Sequence, residues 1–186
     1  MDEVKVSIIL SSYNHANYIA DAIQSALDQT FTDFELLIFD DGSSDNSREI
    51  IKTFDDPRIK FFLHEENRGP RIILTEAVNA ARGKYIAIHH SDDAWELDKL
   101  EQQVDFLDAH EEYAACFTRV KFIDEKSQPN ELADDDYYKK VFEQENRTRA
   151  EWLKYFFYNA NCLCHPSLMI RREVYEKYKL LDFFGL

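Results

Sequence analysis

The chain has 186 residues, 45% of them hydrophobic and 14% aromatic, which suffices for one domain with a substantial core. A formal net charge of −14 argues against nucleic acid as a general partner, and four glycines and four prolines are too few for a collagenous or disordered chain. Three cysteines make no disulfide framework and point to a reducing compartment, the amino terminus is no signal peptide, and no apolar run approaches the roughly 20 residues needed to cross a bilayer.

In chain order, Val4–Leu10 reads as a first strand, leaving through the polar stretch Ser11-Ser12-Tyr13-Asn14. Ile19, Ile23, Ala26 and Leu27 mark a helix face with Asn17 as its cap. Phe34–Phe39 is a second strand closed by Asp40-Asp41-Gly42-Ser43-Ser44-Asp45, and a short helix (Ile50, Ile51, Phe54) leads to a third strand, Ile59–Leu63. After Asn67-Arg68-Gly69-Pro70 comes a helix to about Ala81, then Tyr85–Trp95, whose first part is a buried strand. Leu97, Leu100, Val104 and Leu107 continue at helical spacing. Strands alternating with helices in this way predict a mostly parallel, doubly wound α/β sheet, with the polar strand exits gathered along one edge.

Beyond Ala109 the rhythm changes. Tyr113–Ile123 reads as a strand or hairpin, Asp124–Asn146 as a solvated acidic loop around Asp134-Asp135-Asp136, and Arg147–Tyr158 as a helix. Its aromatic patch Tyr155-Phe156-Phe157-Tyr158 is expected in the core. Asn159–Ile170 reads as a strand region and Arg171–Lys179 as a helix. Cys162-Leu163-Cys164-His165 resembles part of a zinc site but lacks a second ligand pair at a suitable spacing.

The chemistry concentrates on the strand exits. Asp92 and Asp93 follow the buried strand directly. They could cap the next helix, but a cap needs one such residue and two neighbouring anions repel; a divalent cation gripping phosphate oxygens would neutralise both. Tyr13 offers a ring for stacking on a base, or packs half-buried. Asp41 precedes Gly42 in a turn signal, and its carboxylate could accept from a base N–H or a ribose hydroxyl. Arg71 is a surface charge or a phosphate contact.

Taken in order, Ser7-Ile-Ile-Leu-Ser-Ser-Tyr-Asn14, Ala22–Phe31, Phe34–Asp45, Gly83–Ala87, Ser91–Leu100 and His165–Val174 resemble the family-2 glycosyltransferases, particularly the bacterial enzymes of surface and spore-coat polysaccharide synthesis. The resemblance implies a GT-A fold, with residues 1–109 as the nucleotide-sugar-binding half and 110–186 as the start of the acceptor-binding half of the same domain. It implies a nucleotide-diphosphate sugar donor (a UDP-sugar first), a saccharide or lipid-linked acceptor, Mn²⁺ or Mg²⁺, and transfer with inversion. The setting is then cytoplasmic, or peripheral at the inner face of the membrane. Tyr13 would stack on the base with Ser11 nearby, Asp41 would bind base or ribose, Asp92 the ribose or metal side, and Asp93 the metal and diphosphate.

Two departures from the family pattern stand out. Where its metal motif often begins with Asp this chain has His90, for which packing at the sheet edge is the expectation, and the acidic base is expected beyond Leu186 because Asp182 corresponds to an earlier position. A nucleotidyltransferase is the alternative on the same cleft, but Ser11–Asn17 is neither Gly-rich nor basic; a non-catalytic nucleotide-sugar-binding module is the other.

Overall fold

A computed structural model describes residues 4–132, 136–159 and 161–178. Its centre is β1 (Val6–Ser12), buried at six of its seven positions because both faces of the sheet are covered there. β2 (Phe34–Asp40) and β4 (Tyr85–His90) flank it in parallel, with Ile8 opposite Leu36 on one side and Ala87 on the other. β3 (Ile59–Leu63) adds to the far side of β2. β6 (Leu168–Arg171) runs antiparallel against β4, and β5 (Ala115–Phe117) antiparallel against β6, giving the order β3-β2-β1-β4-β6-β5.

Side-chain alternation along these strands divides the core in two. Ile8, Leu10, Leu36, Ile38 and Ala87 face one way, against α1 (Ile19–Leu27), α2 (Ser47–Ile51) and α4 (Lys99–Ala109). Ile9, Leu37, Phe39, Ile86 and Ile88 face the other, against α3 (Pro70–Ala80) and Tyr175 of α7 (Arg172–Tyr178). Charges buried in the sheet are paired: Glu35 of β2 accepts from Ser7 Oγ at 2.7 Å, Lys60 Nζ at 2.8 Å, and both backbone N–H and guanidinium of Arg82. Burial alone would raise its pKa, but these donors prevail and hold it at about 2.

Several local expectations change. Asn17 does not cap α1; the His15 carbonyl accepts from the N–H groups of Tyr18 and Ile19 instead. Leu97 lies ahead of α4 and is exposed. The strand expected over Tyr113–Ile123 pairs only at Ala115–Phe117, followed by an isolated antiparallel bridge between Ile123 and Pro129. The acidic stretch carries α5 (Tyr137–Phe142), capped by the Asp136 carboxylate, which accepts from the N–H groups of Tyr138 and Lys139. α6 (Arg149–Asn159) forms as expected, but its aromatic patch is not core: Phe157 and Tyr158 are 82% and 73% exposed. Asp134, Asp135 and Lys179–Leu186, including Asp182, lie outside the described residues. Among the described residues no helix is long and apolar enough to cross a membrane.

Candidate active site

Because β1, β2 and β4 are parallel, their polar exits fall on one edge, and hydrogen bonds stitch them together. The Asn14 backbone N–H donates to Ser43 Oγ, Ala16 N–H to Asp45 Oδ2, and the Ser44 N–H to Asn14 Oδ1 at 2.8 Å. Asn14 takes a left-handed φ of 56°, which Asn tolerates better than most residues. These contacts leave the Tyr13 ring 46% exposed at the edge. Ser11 is half-buried, opposite both Phe39 and His90.

Asp41 is buried, and each carboxylate oxygen accepts a backbone N–H: Oδ1 from Arg68 at 2.7 Å, Oδ2 from Gly69 at 2.8 Å. It therefore holds the loop that leads into α3 and still has lone pairs free on both oxygens. Gly42 is required beside it: φ is +78°, and a Cβ would stand 2.6 Å from Asn67 N. Arg71 lies exposed in the first turn of α3, directly after that loop.

At the end of β4 the Asp93 N–H donates to the His90 carbonyl at 3.3 Å, closing a turn over His90–Asp93. α4 starts only at Lys99, with Asp98 at its cap position, so Asp92 and Asp93 do not cap it. The segment between is pinned elsewhere: Trp95 N–H donates to Ser25 Oγ, its ring stacks on His89 at 4.2 Å, and Gln29 Nε2 donates to the Glu96 carbonyl. His89 is fully buried, and desolvation takes its pKa down to about 3, so it remains a neutral part of the core.

The turn brings one ligand atom each from His90, Asp92 and Asp93 within 4.8 Å of one another. His90 Nδ1 is 3.8 Å from Asp93 Oδ2, while His90 Nε2 is hydrogen-bonded to His165 Nδ1 at 3.0 Å. Burial, then the neighbouring Asp92 charge, raises the Asp93 pKa to about 6. Two crowded carboxylates and an imidazole form an N,O donor set that suits a divalent cation and would be relieved by one. His90, at the end of β4 on the sheet edge, stands within this cluster. Asp92 and Asp93 also line an open cavity of about 370 Å³ with Tyr18, Asp21 and Lys121.

The sequence reading missed His165, Asn14 and Asp45. His165 was visible as a zinc-like fragment and as the start of the His165–Val174 segment, and its approach to His90 depends on β6 pairing with β4, where Ala87 faces Met169.

Residues 7–179 match the model of glycosyl transferase family 2. The chain is 42% identical over 107 residues to the Escherichia coli UDP-Glc:alpha-D-GlcNAc-diphosphoundecaprenol beta-1,3-glucosyltransferase WfgD, covering 58% of this chain and 42% of that one. The solved structure of Staphylococcus aureus TarS (residues 1–349) superposes with a TM-score of 0.72 at 21% identity, over 94% of this chain and 49% of that one. A mannosyltransferase of Pyrobaculum calidifontis, solved with GDP-Man and Mn²⁺, superposes with a TM-score of 0.57 at 25% identity, over 66% of this chain and 37% of that one. The chain spans 41–60% of the length of the curated relatives it matches first.

Proposed function

The chain belongs to glycosyl transferase family 2 and has its GT-A fold; from that premise we propose that it binds a nucleotide-diphosphate sugar, a UDP-sugar first, at the β1–β2–β4 edge for metal-dependent, inverting transfer to an acceptor hydroxyl. The observation that carries the reading is the turn at the end of β4, which gathers His90, Asp92 and Asp93 at the same edge as Tyr13 and Asp41. WfgD supports the donor and a lipid-linked saccharide acceptor, and hence a place in cell-surface polysaccharide synthesis. The Pyrobaculum enzyme supports Mn²⁺.

In this assignment Tyr13 stacks on the base, with Ser11 beside it. Asp41 accepts from the base or ribose through the lone pairs its backbone donors leave free. Arg71 balances phosphate charge from the start of α3, Asp92 holds the ribose or metal side, and Asp93 the metal. The cation, when bound, supplies Lewis-acid stabilisation of the departing diphosphate. The acceptor oxygen gives its proton to a carboxylate base and attacks the anomeric carbon, and the sugar's bond to the diphosphate breaks with its electron pair leaving on the nucleotide. We assign that base beyond Leu186. The amino-terminal half through Ala109 is the donor-binding part, and residues 110–186 begin the acceptor side.

Calorimetric titration with UDP, GDP and dTDP, each with and without Mn²⁺, tests the donor site. UDP is expected to bind tightest and to need the metal, and Asp93→Ala to weaken it about 100-fold, roughly 3 kcal/mol. Metal-independent binding that Asp93→Ala leaves unchanged would refute the assignment.

A further inference from the structure

His90 has two ring nitrogens with different surroundings. Nε2 meets His165 Nδ1 at 3.0 Å, and Nδ1 looks toward the Asp93 carboxylate at 3.8 Å. The second distance is too long for a hydrogen bond, yet donors bound at about 2.1 Å to one cation lie roughly 3–4 Å apart. We propose that His90 Nδ1 is a direct nitrogen ligand of the bound cation, and that His165 is the positioning residue that fixes His90 in the tautomer and orientation this requires. The inference rests on the metal-dependent reading of the same cluster.

The tautomer follows from the pair. A ligating Nδ1 must be unprotonated, so His90 carries its proton on Nε2 and donates it to His165 Nδ1. His165 in turn carries its own proton on Nε2. The acceptor is held firmly: His165 opens a 3₁₀ turn over His165–Ser167, in which Ser167 Oγ donates to the Cys164 carbonyl at 2.7 Å. Gln103 Nε2 of α4 donates to the Ser167 carbonyl at 2.9 Å, and β6 follows directly against β4. The sheet therefore delivers both imidazoles. An imidazole ligand has a consequence of its own, since nitrogen favours Mn²⁺ over the oxygen-seeking Mg²⁺. His90 is then what sets the choice of metal.

The test is Mn²⁺ titration of the chain with UDP present, followed by electron paramagnetic resonance, with Mg²⁺ competition and pulsed detection of ¹⁴N coupling to bound Mn²⁺. The wild-type chain should show ¹⁴N coupling. His90→Ala should lose it, bind Mn²⁺ about 10–100-fold more weakly and discriminate less against Mg²⁺. His165→Leu should weaken Mn²⁺ in the same direction, whereas His165→Asn, whose Oδ1 takes the place of Nδ1 as acceptor, should restore affinity and coupling. Mn²⁺ binding that Asp93→Ala abolishes but His90→Ala leaves unaltered, without ¹⁴N coupling, would overturn this inference alone. Absence of Mn²⁺ binding by the wild-type chain would overturn the metal-dependent reading with it. Equal behaviour of His165→Leu and wild type would remove the positioning role.

Discussion

β2 and α6 are both rich in large apolar residues, and the fold treats them in opposite ways. All seven residues of Phe34–Asp40 are buried, including a glutamate and an aspartate; none of the eleven residues of Arg149–Asn159 is. The strand has a helix layer on each face and parallel neighbours on each side, so any residue on it is buried and its charges must find partners. In α6 the apolar residues are nearly consecutive, Trp152, Leu153, Tyr155, Phe156, Phe157 and Tyr158, so they surround the helix instead of forming one stripe. They meet mostly one another and Arg147: Trp152 stacks on Phe156 at 5.3 Å, and the Arg147 guanidinium lies over the Tyr155 ring at 4.4 Å. Burial is decided by what stands opposite a residue, which composition alone does not state.

The sharpest way to break the contrast is truncation within β2. Leu36 is fully buried, beside Ile8 of the neighbouring strand on the same face of the sheet. Leu36→Ala should destabilise the chain by about 2–5 kcal/mol, the transfer cost plus a cavity that close-packed strands cannot fill. Urea unfolding with an unchanged m-value would measure it. A loss below about 1 kcal/mol would mean that the sheet core is no tighter than the α6 surface.

The next effect in size is electrostatic. With the Glu35 pKa held at about 2 in the fold against an ordinary 4.5, its ionised form stabilises the native state by roughly 3 kcal/mol. The folded pKa is depressed, so this contribution is fully present above pH 4.5 and is lost as pH falls toward 2. Wild-type stability should decline across that window, and Glu35→Gln should be less stable at neutral pH with a flatter acid limb. A parallel pH profile in the variant would show that Lys60 and Arg82 do not hold the carboxylate as the geometry indicates.

The parallel half was legible because its sequence repeats one physical statement: an apolar run of strand length, a polar exit, an amphipathic helix. Local chemistry was legible there too, since Asp41-Gly42 encodes the left-handed turn that is found. The gathering of the polar exits on one edge followed from the same pattern. What did not follow depends on pairings distant in sequence. His90 and His165 are 75 residues apart, and nothing between them announces that β6 turns back against β4. The cap of α1 was misplaced for a related reason: the β1–α1 loop takes its shape from Ser43 and Asp45 on the neighbouring loop and Ser47 at the start of α2, so Asn17 had no vacant role. The exposed aromatics of α6 are the same failure in reverse, an apolar composition for which the described residues provide no facing layer.

The smallest effect completes the comparison. Phe157 is 82% exposed, so replacing it removes almost no buried surface. Phe157→Ser should change stability by no more than about 0.5 kcal/mol, despite deleting a side chain larger than Leu36. Amide exchange under native conditions should give the same order, with β1 and β2 protected close to the global limit and α6 opening far more readily. If Phe157→Ser instead cost as much as Leu36→Ala, the ring would have to be packed against something in solution that the described residues do not supply. The measurement separates aromatic content from aromatic burial, and on this helix only the first is present.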